Sequence, residues 1–109
     1  PLSDVASMIR SFYYAGYEGF LSSPHIKHEE VHHLLHYADI WIHYMNNFFL
    51  KSYLDTVKNS QLIPGSPEDL KVMLQNYLLE RALYAMEYEL HNRPERVVIP
   101  LAMIRDILN

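Results

Sequence analysis

The chain has 109 residues, 50% hydrophobic and 20% charged, with only three glycines and nine tyrosines, a composition that fits one ordered domain and excludes both a second core and intrinsic disorder. A formal charge of −4 without any cluster of Lys or Arg removes the electrostatic footprint that nucleic acid or an anionic membrane requires. No apolar run reaches the ~20 residues of a membrane span, and with no cysteine there is neither a disulfide framework nor a thiolate ligand or nucleophile.

The opening Pro1-Leu2-Ser3-Asp4 has no initiator Met and no signal-peptide pattern, so a segment of a longer, cytoplasmic protein is expected. Ser3 is a good N-cap and Asp4 sets a negative charge at the positive end of a helix dipole, which predicts a first helix over about 4–21. Val5, Met8, Ile9, Phe12, Tyr13, Gly16, Tyr17 and Phe20 recur at helical steps, leaving Ser7, Ser11, Tyr14 and Glu18 on the other face. Ser22-Ser23-Pro24 reads as a loop, because proline disfavours helix in the residue before it. From about 27 to 59 no Gly or Pro intervenes, and Val31, Leu34, Leu35, Ala38, Trp41, Ile42, Met45, Phe48 and Phe49 keep a helical period. At ~1.5 Å per residue such a helix extends about 45 Å, beyond the roughly 35 Å diameter of a globule this long. Either it bends near Asn46-Asn47 or its apolar face docks on protein outside this chain, and the second is expected. Asn59 to Gly65 reads as a loop. Ser66-Pro67-Glu68-Asp69 then combines an N-cap, Pro at the first helical position and acids in the first turn, opening a helix over 67–92 that stops before Pro94. Val97-Val98-Ile99 is expected to be extended, with a short helix over 101–108 after Pro100. The fold class is therefore all-α, three main helices plus a short C-terminal one, in a single unit over 1–109.

His28-Glu29-Glu30-Val31-His32 fits the H-E-x-x-H pattern of zinc metalloproteases, whose two His share one helix face. Six of the seven histidines lie between His25 and His43, so the match arises easily by chance. No third ligand or cleft accompanies it; the stretch reads as a solvated face, and no metal site is assigned. On the third helix, projected at ~100° per residue, Glu80, Glu87 and His91 share one face while Leu78, Ala82, Ala85 and Met86 line the other, with Glu89 in the middle of the apolar side. A carboxylate there must be paired. Arg93, four residues on, is its natural partner, so the two read as a buried clamp; contact of Glu89, Asn92 and Arg93 with a polar ligand is the alternative. Tyr77, Arg81, Tyr84 and Tyr88 form a flanking stripe that reads first as ordinary packing with hydroxyls at the rim; the alternative is a sugar, which such rings and a guanidinium suit. No P-loop, nucleophile elbow or paired acidic metal site occurs, and these residues by themselves name no reaction.

Two stretches carry a family resemblance. The first is Pro1-Leu2-Ser3-Asp4-Val5-Ala6-Ser7-Met8-Ile9-Arg10-Ser11-Phe12-Tyr13-Tyr14-Ala15; the second runs from Tyr77-Leu78-Leu79-Glu80-Arg81-Ala82-Leu83-Tyr84 through Tyr88-Glu89-Leu90-His91-Asn92-Arg93-Pro94 to Ile99-Pro100-Leu101. Both resemble motifs of the maltokinase family, ATP-dependent kinases of the aminoglycoside-phosphotransferase-like fold that are often fused to or encoded beside trehalose synthase. Trp41 to Leu54 and Pro64 to Leu70 also sit as in that family, so the likeness covers nearly the whole chain. Ser3 stands where Arg is usual, Ala85 where Glu is common, and Glu95-Arg96 where Asp-Trp is common, departures that bear on substrate specificity more than on the fold.

The resemblance implies the helical C-terminal subdomain of a protein-kinase-like fold, from an enzyme that phosphorylates maltose with ATP to maltose 1-phosphate. It implies substrate-binding roles for Tyr84, Tyr88, Glu89, Asn92 and Arg93 and structural roles for Asp4 and Arg10, with no catalytic residue in this chain. ATP and Mg²⁺ would belong to the N-terminal part of the kinase, the implied partner, together with maltose or a related sugar and a trehalose synthase domain. The alternative is a non-catalytic helical docking module of a trehalose synthase-type protein.

Overall fold

Four α-helices and one 3-10 turn make up residues 2–21, 28–57 and 67–109, the residues described by the computed structural model, and no strand occurs among them. They are α1 (Leu2–Leu21), α2 (His28–Val57), α3 (Pro67–Asn92), the turn Pro94–Arg96 and α4 (Val98–Leu108). The expected all-α architecture of three long helices and a short fourth is what forms. The loops expected at 22–24 and 59–65, and the Ser66 cap, lie outside the described residues. No helix among the described residues is long and apolar enough to cross a membrane.

Helix α1 is covered on two sides. Its apolar stripe of Val5, Ile9, Tyr13 and Tyr17 joins Ala38 and Ile42 of α2, Ala82 of α3, and Ile99, Ala102 and Met103 of α4 in one core. Its polar flank meets α3. Arg81 Nη2 donates to Ser3 Oγ at 2.7 Å and Arg81 Nε to Ser7 Oγ at 3.1 Å, Tyr14 donates to Glu89, and Glu18 pairs with Arg93. The helix already begins at Leu2, so Ser3 sits within the first turn and its hydroxyl accepts from α3 instead of capping, while Asp4 keeps its place in the first turn.

Helix α2 runs as one uninterrupted helix of 30 residues through Asn46-Asn47. The molecule is elongated as a result, 48 × 27 × 21 Å with a radius of gyration of 15.2 Å, above the ~13 Å of a compact chain this long. α2 packs along α1 through Ala38 and Ile42, with Trp41 edge-on to Phe12 of α1, and turns Tyr37, Ile40, Tyr44 and Phe48 outward as an exposed row.

The α1–α2 approach depends on one glycine. A Cβ on Gly16 would stand 2.9 Å from Ile42 Cγ1 and 3.3 Å from Trp41 Cε3, and Ile42 is fully buried, so it has no room to yield. At Gly19 an added Cβ meets nothing within 4 Å. Opposite outcomes are expected for one chemical change. Gly19→Ala should stabilise by about 0.5–1 kcal/mol through helix propensity. Gly16→Ala should forfeit that gain to an overpacking cost of roughly 1–3 kcal/mol, for a net loss of about 1 kcal/mol. Urea unfolding of the two variants checks this, and equal effects at both positions would contradict the close contact.

The stretch 97–99 is not extended, contrary to its β-branched composition. Val97 is a turn residue with φ −61° and ψ −20°, and α4 starts at Val98. Pro94 opens the 3-10 turn, and Pro100 stands in the first turn of α4, where its missing N–H costs no intrahelical bond. Ile99 and Met103 lie fully inside the core, and burial of that face decides the conformation over local propensity.

Candidate functional site

The end of α3 is organised by one buried charge. Glu89 has no solvent exposure. Its Oε1 accepts from Arg93 Nε at 2.9 Å, and its Oε2 accepts from Arg93 Nη2 at 2.9 Å and from the Tyr14 hydroxyl at 3.0 Å. The fork-to-fork match of guanidinium and carboxylate is the strongest geometry open to such a pair. Arg93 lies just past the last turn of α3, its φ of −144° leaving the helix, and its backbone N–H still donates to Glu89 O at 2.7 Å. Its Nη1 reaches Glu18 of α1 at 3.3 Å. The expected clamp is therefore present, and it also ties α3 to α1. Burial, and after it the hydrogen bond to Glu89, raise the Tyr14 phenol above its ordinary 10.0, while the same carboxylate raises the Arg93 guanidinium.

Above this clamp lies a cleft of about 490 Å³ lined by Arg10, Ser11 and Tyr14 from α1, Tyr84, Ala85 and Tyr88 from α3, and Arg93. Tyr84 and Tyr88, one turn apart, are both more than half exposed and present their rings to the opening. The size falls within the roughly 300–1,000 Å³ of small-ligand sites, and the mixture of aromatic walls with a few fixed polar groups is the usual composition of one. Glu89 is committed to Arg93 and Tyr14 beneath the floor, so no free carboxylate faces the opening. The arrangement suits binding and orientation, through ring faces and guanidinium donors, and supplies no base.

A second polar cluster joins α1, α2 and α4. Tyr13 donates to Asp106 Oδ2 at 2.6 Å and Tyr17 donates to Asp39. Arg105 spans both acids, Nη2 to Asp39 Oδ1 at 3.0 Å and Nε to Asp106 Oδ1 at 3.0 Å, and His43 Nε2 stands 3.7 Å from Asp106. Burial, then the hydrogen bonds the phenols donate to Asp106 and Asp39, raise Tyr13 and Tyr17 above their ordinary 10.0. Arg105 bridges the two carboxylates, and the cluster acts as a fastening.

Of the residues singled out from sequence, Tyr84, Tyr88 and Arg93 share the cleft and Glu89 braces it from below. Asn92 turns away, donating to Tyr88 O at 2.9 Å, and borders a shallower hollow with Tyr84, Glu87, Tyr88 and His91. Arg81 and Tyr77 do not line the cleft; Arg81 is held by Ser3 and Ser7. Arg10, expected to be structural, is a wall of the cleft, and Asp4 is exposed with no hydrogen-bond or ion-pair partner among the described residues. Ser11 and Tyr14 were missed as cleft residues because their role depends on how α1 lies across α3. The side chains of His28, Glu29, Glu30 and His32 lie outside the described residues, and His33 and His36 are exposed. Among the described residues no group of His, Asp and Glu is arranged to hold a metal ion. No protein-family model matches the chain, and neither does any solved structure.

Proposed function

We propose that this chain is the helical, acceptor-side part of a maltokinase-like sugar kinase, and that the cleft between α1 and α3 holds the sugar. The observation that carries the reading is the convergence in one cleft of residues from both resembling motifs, Arg10, Ser11 and Tyr14 from the first and Tyr84, Tyr88 and Arg93 from the second. Stacking of sugar C–H faces on the two exposed rings and hydroxyl recognition by fixed guanidinium donors fit this lining. The described residues do not fit ATP or Mg²⁺: the cleft offers no carboxylate pair for a hard cation and no run of backbone donors for a triphosphate. Nucleotide, metal and the group that activates the attacking hydroxyl are assigned to the N-terminal part of the kinase, upstream of this chain.

The test is ATP-dependent formation of maltose 1-phosphate by the enzyme that carries this chain. Tyr88→Ala should raise KM for maltose about three- to tenfold, the worth of one stacked ring, with KM for ATP unchanged. Absence of turnover on maltose and related sugars, or equal changes in both KM values, rejects the proposal. The exposed aromatic row of α2 favours a second reading, a non-catalytic docking module of a trehalose synthase-type protein. That reading predicts sugar-independent binding to the synthase and no ATP consumption.

A further inference from the structure

The side of α3 turned away from the cleft carries a second pattern that packing within the chain leaves partly uncovered. Val72, Leu79, Leu83 and Leu90 are between 36% and 56% exposed. Together with Asn76 and Met86 they fall at alternating four- and three-residue steps, the spacing of a heptad seam: Val72, Leu79 and Met86 at d, and Asn76, Leu83 and Leu90 at a. This line lies roughly 120° around the helix from Leu78, Ala82, Ala85 and Glu89, which face the core. It spans about 27 Å at 1.5 Å per residue.

We infer that this seam pairs α3 with α3 of a second copy of the chain, side by side and parallel, in a two-fold homodimer. Asn76 selects the occupant. Against an aliphatic partner its amide would be desolvated without a hydrogen bond, whereas in a parallel pair each Asn76 meets its own counterpart, and the two amides donate and accept reciprocally, as a buried asparagine does in two-stranded coils. The charges select the direction. In the parallel register Glu80 faces Gln75 of the other copy, and the position matched to Glu87 is Ala82, which is buried in its own chain's core, so no like charges meet. The antiparallel register that keeps the four aliphatics opposed sets Asn76 against Met86 and Glu80 against Glu80. A single seam of this length covers several hundred Å² per copy, below the roughly 800 Å² per partner of a standard interface, so association is weak, in the micromolar range. Each copy also carries a net charge of −4, and screening that repulsion tightens the dimer as salt rises. The seam and the sugar cleft occupy different flanks of α3, so this inference stands independently of the proposed function.

The chain contains no cysteine, which makes single-cysteine cross-linking clean. Under mild oxidation Asn76→Cys should yield a disulfide-linked dimer, and Val72→Cys and Leu90→Cys should each do so alone. Sedimentation of the unmodified chain over a concentration series should show a monomer–dimer equilibrium whose dissociation constant falls severalfold from low to high salt. Leu83→Glu, a change at a half-exposed position, should abolish it with the helical circular dichroism intact. A monomer at every concentration overturns the inference. So does cross-linking of Val72→Cys only when mixed with Leu90→Cys, which reports antiparallel pairing. A dimer that survives Leu83→Glu also overturns it, by moving the contact to another face such as the aromatic row of α2. Should Leu83→Glu fail to fold, the cysteine variants decide.

Discussion

Glu89→Ala is expected to cost about 2–4 kcal/mol of unfolding free energy, the largest loss of any single polar substitution among the described residues. Breaking a fully buried ion pair costs roughly 3–5 kcal/mol; the lower figure applies here because Arg93 remains 41% exposed while Glu89 is at 0%, and the freed guanidinium regains some water. Truncation removes both bonds from Arg93 and the one from Tyr14 and leaves a void at the junction of α1 and α3. Glu89→Gln keeps the volume and one acceptor, and is expected to lose less than half as much. Tyr14→Phe removes one bond to a charged acceptor, about 1 kcal/mol. Urea denaturation with a constant slope across the set measures all three. A loss below ~1 kcal/mol for the alanine variant would mean that the carboxylate is hydrated and the clamp does not hold the helices together.

Stability is expected to hold steady up to about pH 10 and then to fall steeply, by roughly 2–3 kcal/mol per pH unit. Burial foremost, and then carboxylate hydrogen bonds, raise the phenols of Tyr13 and Tyr17 well above their ordinary 10.0. In the unfolded chain the same groups ionise near 10. The folded form therefore holds protons that the unfolded form has released, so the stabilisation is complete below the unfolded value and is lost as pH climbs toward the folded one. Each fully suppressed phenol contributes up to about 1.4 kcal/mol per pH unit. Tyr13 and Tyr17, only 4% and 2% exposed, carry nearly all of it. The more accessible Tyr14 adds less because solvent screens it. Thermal or urea unfolding measured across alkaline pH, alongside phenolate absorbance of the folded protein, checks the slope. Tyr17→Phe should flatten it by about half. Phenolate appearing near pH 10 in the native protein would remove the basis of the prediction.

What could be read in advance follows from whether the signal is local. The bounds of α3 were legible because Pro67 with its acidic neighbours and Pro94 act within one turn, and the burial of Glu89 followed from helical period alone. Its pairing with Arg93 followed too, since four residues is one turn. The third partner, Tyr14, was not legible, because it arrives from a helix 75 positions earlier and only the lie of α1 across α3 brings it there. The same holds for the fastening of Tyr13, Tyr17, Asp39, Asp106 and Arg105, whose members look like ordinary surface charges and core rings until three helices meet. Val97-Val98-Ile99 misled in the opposite way: its β-branched residues favour extended backbone locally, and the core reclaims Ile99 as a helical residue.

Helix α1 touches each of the other three, whereas α2 rests chiefly on α1, and Tyr13 finds Asp106 across 93 positions of chain. Translation delivers these parts in an inconvenient order. Of the four helices, the one on which the others lean leaves the ribosome before them, and the one that locks it, α4, follows them all. Contacts so distant in sequence close slowly. The seat that Gly16 opens for Ile42 belongs to α2, the next segment synthesised, so the α1–α2 contact is the one whose two halves are made nearest together in time.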